Sequence, residues 1–531
     1  MWFGFCTMPM LTEGSGFSHT LLNTPVTGAL CLVAFMPCCL VAFYHAPISP
    51  VGDKGLHLNS YNMKKDYAST RRKFLQQLTA TTAMLAAGPF ASIAKENEEQ
   101  LEERIIRYER PISPNDAIRI GIIGTGIMGH HDLQTALKVP GVELAGACDL
   151  YTGRLERMKE LYGTTLYTTQ DYRELLNKKD IDAVIIATSD NWHARIATDA
   201  FRKNKHVYCE KPMVHKLWEG LPLIGAQRLS KKVMQVGSQR VSSVAYIKAK
   251  ELYKAGEIGQ LNCVEATYDR QSAIGAWEYT MPTDASPKTV DWRRYISGQP
   301  LTAFDPKKFF WWRNYKQFGT GMAGDLFVHL LSGIHLITDS YGPTRIVSSG
   351  QLSYWKDGRD VPDVMTAIMD YPTTKAHPAF QVMLRVNFIS GGGNKSAIRL
   401  YGTEGMIELE GNGFTVTHSM LPKAPGIGGY DALNTYPAAM QEELKKQYNE
   451  RWTKDDHKRP EKAPVKYKMH DGYSDHLDHF TNFFDAIRNG TMANEGPEFA
   501  FRAAAPCLAA NDSYFQKRII HWDPVNMRLK A

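Results

Sequence analysis

The stretch IRIGIIGTGIMGHHDLQTALKVPGVELAGACD, Ile118–Asp149, decides the fold. Ile118, Ile120, Ile122 and Ile123 form a short apolar run bounded by glycine, the pattern of a parallel strand buried on both faces. Gly124, Gly126 and Gly129 follow as GxGxxG. In such a loop the first glycine makes a tight turn, the second lets the backbone approach a pyrophosphate, and the third lets helix and strand pack closely. The helix opening at Ile127 and Met128 points its free N–H groups and positive dipole end at the phosphates. Val142, Leu144 and Ala147 make the next strand, which ends in Asp149, about twenty residues past the motif, where a carboxylate takes ribose hydroxyls. An acid there repels a 2′-phosphate, so the clamp is read as one for NAD, with NADP disfavoured.

Beyond Asp149 the alternation continues: helix Leu155–Tyr162, an acidic helix start at Asp171, strand Ala183–Ala187, helix Trp192–Asn204, strand His206–Cys209, helix Trp218–Ser230 and strand Val233–Val236. Strands alternating with helices predict an α/β doubly wound parallel sheet, a Rossmann domain over residues 117–240. After Gly237 the strands lengthen and alternate polar with apolar residues: Asn262–Asp269, Arg345–Tyr354, Val364–Tyr371, Ala379–Phe388, Ser396–Tyr401 and Met406–Glu410. That pattern predicts a second, α+β domain over residues 241–531 with a large, open, mostly antiparallel sheet covered on one face. Gln271–Gly342 interrupts it, and an insertion that long is usually functional. Ser474–Asn489 and Glu498–Arg518 read as two helices closing this domain.

With 531 residues, 43% hydrophobic and 22% charged, the chain has ordinary globular composition. A net charge of +7 without a dense lysine or arginine tract argues against a nucleic-acid partner. Four of the eight cysteines precede residue 40, and Cys148, Cys209, Cys263 and Cys507 stand singly among apolar neighbours. No zinc spacing appears, and no metal is expected.

Residues 14–52 carry no Lys, Arg, Asp or Glu, a length that would permit a membrane helix. The residues after Tyr61 favour another reading. Met63-Lys64-Lys65, then Thr70-Arg71-Arg72-Lys73-Phe74-Leu75-Gln76, then the weakly apolar Leu78–Phe90 and the small Ser92 and Ala94 make a twin-arginine export signal over 63–94. Such a signal works at an N-terminus, so residues 1–62 are expected to lie outside the native protein, with Met63 its start and no stable membrane insertion of the mature chain. Residues 95–116 are a charged arm that Pro111 and Pro114 end.

Two strand ends carry candidate chemistry. Thr188-Ser189-Asp190-Asn191-Trp192-His193 and Tyr208-Cys209-Glu210-Lys211-Pro212 fall at the carboxyl edge of the parallel sheet, where open sheets bind ligands. Thr188, Asn191, His193, Glu210 and Lys211 are therefore candidate cofactor contacts, and the Lys211 ammonium suits a developing alkoxide. Within the insertion, Asp325 and His329 stand four apart on a predicted helix and share a face. A histidine hydrogen-bonded to a carboxylate suits the removal of a hydroxyl proton while hydride leaves the same carbon. Trp277, Trp292, Trp311 and Trp312 are candidates for stacking on sugar C–H faces, no more than half of them expected to do so, with Arg270, Arg313, Asn314 and Tyr315 as polar contacts.

The GxGxxG strand with Asp149, the Glu210-Lys211-Pro212 triplet and the Asp325/His329 pair after a glycine-rich turn, with Gly402-Thr403-Glu404-Gly405 further on, resemble the Gfo/Idh/MocA family of NAD(P)-dependent oxidoreductases, in particular its exported twin-arginine branch. The resemblance implies a Rossmann domain followed by an open-sheet domain, and sugars or polyols as substrates. It also implies Lys211 at substrate and cofactor, His329 as base and Asp325 orienting it. Export to the periplasm would separate the protein from the cytoplasmic nicotinamide pool, so NAD is expected to stay tightly bound and to be regenerated in place. That is achieved either by a second substrate or within one turnover, as in NAD-dependent glycosidases of similar fold. A sugar-binding protein without turnover is a third reading. A sheet with a free face further implies a homo-oligomer.

Overall fold

The computed structural model describes residues 117–530. The expectations for residues 1–116 fall outside that range. Among the described residues, no helix is long and apolar enough to cross a membrane.

Six parallel strands make the first sheet: β1 (Ile118–Ile123), β2 (Val142–Cys148), β3 (Tyr167–Thr169), β4 (Ala183–Ile186), β5 (His206–Cys209) and β6 (Met234–Val236), in the order β3-β2-β1-β4-β5-β6. The order reverses between β1 and β4, which opens a crevice at their carboxyl ends. Both strands are almost wholly buried, which is why they read as unbroken apolar runs. The crossings are α1 (Ile127–Ala136), α2 (Thr152–Tyr162), α3 (Tyr172–Asn177), α4 (Asp190–Arg202) and α5 (Gly220–Ser230). Asp171 starts α3 by accepting the Arg173 N–H at 3.0 Å. α4 begins at Asp190, two residues before the expected Trp192, and a single 3₁₀ turn at Leu217–Glu219 precedes α5.

After α6 (Val244–Lys254) comes a ten-stranded sheet: β7 (Leu261–Asp269), β8 (Arg345–Gln351), β9 (Val364–Tyr371), β10 (Phe380–Asn387), β11 (Lys395–Gly402), β12 (Gly405–Glu410), β13 (Gly413–His418), β14 (Val465–Lys468), β15 (Ile520–Asp523) and β16 (Arg528–Leu529). Its order is β14-β13-β12-β11-β7-β10-β9-β8-β15-β16, antiparallel throughout except where β7 meets β10. β9 shows the expected alternation: Met365, Ala367, Met369 and Tyr371 are buried while Thr366 and Ile368 face out. The insertion between β7 and β8 carries α7 (Trp292–Tyr295), α8 (Pro306–Phe310) and α9 (Val328–Thr338). Strands β13 to β16 and helix α10 (Ala438–Arg451) have no counterpart among the sequence-based expectations. α10 buries none of its residues, so it has no apolar stripe to read.

The C-terminal helices divide their service. α12 (Pro497–Gln516) lies against the large sheet, where Ser513 Oγ accepts the Ser348 N–H at 3.0 Å. α11 (Asp475–Asn489), expected to close the second domain, instead sends Phe480, Phe483 and Phe484 into the Rossmann core beside Ile118, Ile120, Ala183 and Tyr208. A buried hydrogen bond of 2.9 Å between His476 Nε2 and Asp132 Oδ1 ties α11 to α1.

Candidate active site

The crevice at the strand ends has the form a dinucleotide requires. Gly124 adopts φ +89°, and a Cβ there would stand 2.5 Å from the Ala187 carbonyl oxygen. A Cβ at Gly129 would stand 1.9 Å from the Gly124 carbonyl oxygen, so α1 can pack on β1 only through glycine. Gly126 differs. Nothing protein lies closer than 3.5 Å to its Cβ position, and what lies there is the Arg154 guanidinium, so packing alone does not require glycine. No side chain caps the N-terminus of α1, and no acid stands in its first turn. Its N–H groups are therefore free to face an anion. Gly124, Gly126, Ile127, Met128, Asp149 and Thr188 line one cleft. These features fit a nicotinamide dinucleotide lying along the strand ends, with its pyrophosphate on α1.

Asp149 is more firmly held than the sequence indicates. Its Oδ2 accepts the Thr125 N–H at 2.8 Å, its Oδ1 accepts the Tyr151 N–H at 2.9 Å, and Arg154 Nη1 stands 3.4 Å from Oδ2. The Arg154 guanidinium also lies 5.5 Å over the Phe310 ring, which places a cation at the ribose end of the cleft. Arg154 is not among the residues that sequence reasoning singles out. Its only signal is its place in the first turn of the helix after Asp149.

The insertion roofs this cleft. Thr152 N–H donates to the Thr289 carbonyl at 2.9 Å, Arg294 Nη1 to the Gln170 carbonyl at 2.9 Å, and Trp192 Nε1 to the Tyr295 carbonyl at 3.0 Å. Tyr279, Tyr295, Phe309, Phe310 and Trp312 form its apolar wall.

Lys211 and Asp325, from separate domains, meet next to Arg313, which lines the cleft. Lys211 Nζ donates to Asp325 Oδ1 at 2.9 Å and to the Asp325 carbonyl oxygen at 3.1 Å. Arg313 Nε donates to the same Oδ1 at 3.1 Å. Burial alone would raise the Asp325 carboxyl, but Lys211 and Arg313 hold it below the usual carboxylate range. Asp325 lies in one wide helical turn, Ala323–Phe327, that precedes α9. Gly324 allows that turn, because a Cβ there would stand 2.2 Å from the Thr320 side chain. Thr320 is itself fixed by Asp190, whose Oδ2 accepts the Thr320 N–H at 2.9 Å and Oγ1–H at 2.6 Å. Burial and then the neighbouring Asp325 push the Asp190 carboxyl up to about 7.

His329 follows one turn later, half-buried, with its ring 6.1 Å from that of Tyr268. In place of the expected carboxylate–imidazole hydrogen bond, Asp325 Oδ1 accepts from both Lys211 and Arg313. The wide turn changes the register assumed for a regular helix. Burial, then Lys211 and Arg240, push the imidazole well below its ordinary range and keep it neutral. A neutral imidazole is the form that accepts a proton.

Other expected contacts serve the frame. His193 is buried, with Nδ1 2.8 Å from the Pro212 carbonyl and Nε2 3.2 Å from the Thr188 carbonyl, so it holds the two loops together outside the cleft. Asn191 Oδ1 accepts the Ser189 hydroxyl at 2.8 Å. Glu210 turns inward to accept Gln239 Nε2 at 3.2 Å, and burial followed by Asp132 pushes its carboxyl up to about 8. Trp277 packs edge-on against Phe388 in the core, and buried Trp292 donates Nε1 to the Thr302 carbonyl. Tyr315 and Asn314 are buried too. Trp311 is half-buried and donates Nε1 to the Tyr279 carbonyl at 2.6 Å. Trp312 lines the cleft with the Arg313 guanidinium 4.1 Å over its ring. Arg270 stands over Tyr268 at 5.3 Å.

Residues 118–238 match the oxidoreductase-family NAD-binding Rossmann fold of Gfo/Idh/MocA proteins, and residues 292–408 match the GFO/IDH/MocA C-terminal domain. Inositol 2-dehydrogenase of Salmonella paratyphi B is 34% identical over 167 residues, 31% of this chain and 49% of that protein. Glycosyl hydrolase family 109 protein 1 of Shewanella sp. (strain ANA-3) is 30% identical over 236 residues, 42% of this chain and 50% of that protein. The chain thus spans about half the length of the curated relatives it matches. The crystal structure of aldose-aldose oxidoreductase from Caulobacter crescentus complexed with glycerol shares the fold, with a TM-score of 0.54 at 14% identity over 76% of this chain and 99% of that one.

Proposed function

Both matched domains are those of the Gfo/Idh/MocA oxidoreductase family, and on that footing we propose that the chain moves hydride between a bound nicotinamide dinucleotide and a hydroxyl-bearing carbon of a sugar, glycoside or polyol. The observation that carries the reading is the meeting of Lys211 with Asp325 across the two domains, on a carboxylate shared with Arg313, which itself lines the glycine-lined cleft. The dinucleotide, when bound, supplies the hydride acceptor. Gly124, Gly126 and the N-terminus of α1 would hold its pyrophosphate, and Asp149 its ribose hydroxyls. Asp325 takes two of the donor directions of Lys211 through its carboxylate and its carbonyl. The remaining N–H of the ammonium serves a substrate oxygen and stabilises alkoxide character there. Neutral His329 accepts the hydroxyl proton. Trp312 and the aromatic roof keep water from the exchange.

A second reading rests on the similarity to the family 109 glycosyl hydrolase. In it, oxidation is transient, elimination follows, and the cofactor returns to its starting state within one turnover. Purified protein mixed with sugars and glycosides separates the two. Reduced-nicotinamide absorbance that builds up supports the dehydrogenase, whereas released sugar without that absorbance supports the glycosidase. Neither signal with any compound overturns both.

Three finer points belong to the same proposal. NAD is favoured over NADP because the Asp149 carboxylate stands where a 2′-phosphate would come, although Arg154 beside it narrows that preference. Export by the twin-arginine route to the periplasm rests on the Thr70–Gln76 motif and its flanks. A homo-oligomer is supported by the outer face of the large sheet, where Thr366, Ile368, Gln381 and Arg385 are exposed.

A further inference from the structure

Lys211, Arg313, Arg240 and Arg270 all lie around Asp325 and His329, with the Asp190 carboxyl beside Asp325. Lys211 and Arg313 share Asp325. Arg240 and Arg270 attend the Tyr268 ring instead, their guanidinium carbons 5.5 and 5.3 Å from its centroid, with the His329 ring 6.1 Å from the same point. Among the described residues neither of these arginines makes an ion pair. Arg240 donates to Ser396 Oγ at 2.8 Å and to the His329 carbonyl at 3.5 Å, and Arg270 donates to the Gly275 carbonyl at 2.9 Å. Asp269, next to Arg270 in the chain, is taken by Arg385.

Guanidinium groups held only on neutral partners keep donors free for a counter-charge. The dinucleotide does not bring one here. Its phosphates belong at the glycine loop of the other half of the cleft, and an oxidised nicotinamide ring adds a further positive charge. The missing negative charge is therefore left to the substrate.

We propose that the sugar taken at this site is anionic, carrying a carboxylate or phosphate group that Arg240 and Arg270 receive beside Tyr268, while Lys211 and His329 address its hydroxyl. A planar guanidinium fork matches either group with two parallel hydrogen bonds. The same anion offsets the cations that depress His329, so arrival of the correct substrate makes the imidazole a better base. This assignment rests on the oxidoreductase reading, and its test separates the two.

NAD-loaded protein is titrated by calorimetry with matched sugars: glucose, glucuronate and glucose 6-phosphate, then galactose and galacturonate. Reduced-nicotinamide absorbance is followed in parallel. The expected result is at least about tenfold tighter binding of an acidic member than of its neutral partner, an advantage that shrinks as salt is added. The uronate and phosphate arms tell which anion is preferred. Arg240→Gln and Arg270→Gln should each lower the acidic-to-neutral ratio of affinities by about tenfold. If no acidic sugar binds more tightly than its neutral partner, the anion site is refuted. Tight acidic binding with no nicotinamide reduction by any sugar would uphold the anion site and overturn the oxidoreductase reading; reduction by neutral sugars alone, with no acidic preference, would do the reverse.

Discussion

Lys211 and Asp325, 114 residues apart in sequence, form a buried ion pair 2.9 Å long in which the lysine also reaches the aspartate's own carbonyl oxygen. The double contact fixes the ammonium to the wide turn that leads into the helix carrying His329. Replacing Lys211 by Met should lower kcat by about 10² to 10⁴, the range for losing a positioned proton or alkoxide partner. Asp325 keeps Arg313 in that variant, so the protein should still fold, which circular dichroism would check. Near-wild-type turnover in Lys211→Met would remove the ammonium from the chemistry.

His329→Ala should cost a similar factor while dinucleotide affinity, read from protein-bound cofactor fluorescence, stays within about threefold. The wild-type imidazole is neutral because burial and nearby cations lower its pKa. Activity should therefore hold from neutral pH well into the acid range and fall only as the imidazole protonates below its ordinary pKa of 6.5. A pH profile that already falls between about 7 and 6 would place another group in the role of base.

Two glycines of the phosphate loop should respond in opposite ways. At Gly129 a methyl group would collide with the Gly124 carbonyl, so Gly129→Ala should lower thermal stability by a few kcal/mol, about the cost of forcing a close backbone contact apart. At Gly126 the methyl meets only the end of Arg154, at 3.5 Å. Gly126→Ala should fold with an unchanged melting temperature yet bind the dinucleotide at least about tenfold more weakly, the effect of filling ligand space. Equal losses of stability in both variants would show that Gly126 is there for packing.

Cofactor choice turns on a pair, Asp149 and Arg154. Asp149→Ala removes the repulsion of a 2′-phosphate and frees Arg154 to meet one, so the NAD to NADP affinity ratio should fall by about tenfold or more. Arg154→Ala should shift it the other way. An unmoved ratio in both would mean that other groups hold the ribose.

Much of this is legible in the sequence because it depends on local backbone demands. A GxGxxG between two apolar strands can be read because each glycine answers to a contact within the same unit. Lys211 can be placed because it ends a buried strand. Sequence misleads where partners are distant. Helical spacing pairs Asp325 with His329, but a wide turn set by Thr320 and Asp190, 130 residues apart, gives it to Lys211 instead. His193 reads as a cofactor contact because it stands at the sheet edge, yet two carbonyls claim its ring. Arg154 has only its place one turn after Asp149 to mark it, and nothing in the Glu210-Lys211-Pro212 triplet says that the Glu210 side chain turns inward. α11 reads as a helix, but nothing in its own pattern says which of two sheets its phenylalanines will meet.

Asp190 gives a stability test with a definite sign. Its folded pKa, about 7, lies above the ordinary value of 3.8, so the folded state holds the proton more tightly. The stabilisation is complete below about pH 4 and is lost as pH rises through 7, up to about 4 kcal/mol in total if the whole shift is realised. Asn cannot ionise and can still accept both Thr320 bonds. Asp190→Asn should therefore match wild type near pH 3.5 and exceed it near pH 8, a divergence that calorimetric melting at about those two pH values would show. A constant gap between the two proteins would mean that Asp190 is ionised throughout.

Hydride must pass between a sugar carbon and a dinucleotide held at the rim of the Rossmann sheet if the residues act as described. Mass spectrometry reads that transfer from the cofactor itself, released by rapid organic quench during turnover of a sugar fully deuterated on carbon. Wild-type protein should yield reduced dinucleotide one mass unit heavier than with unlabelled sugar, and His329→Ala strongly diminished amounts of it. Turnover of the sugar with a cofactor that never gains the label would contradict hydride transfer at this site.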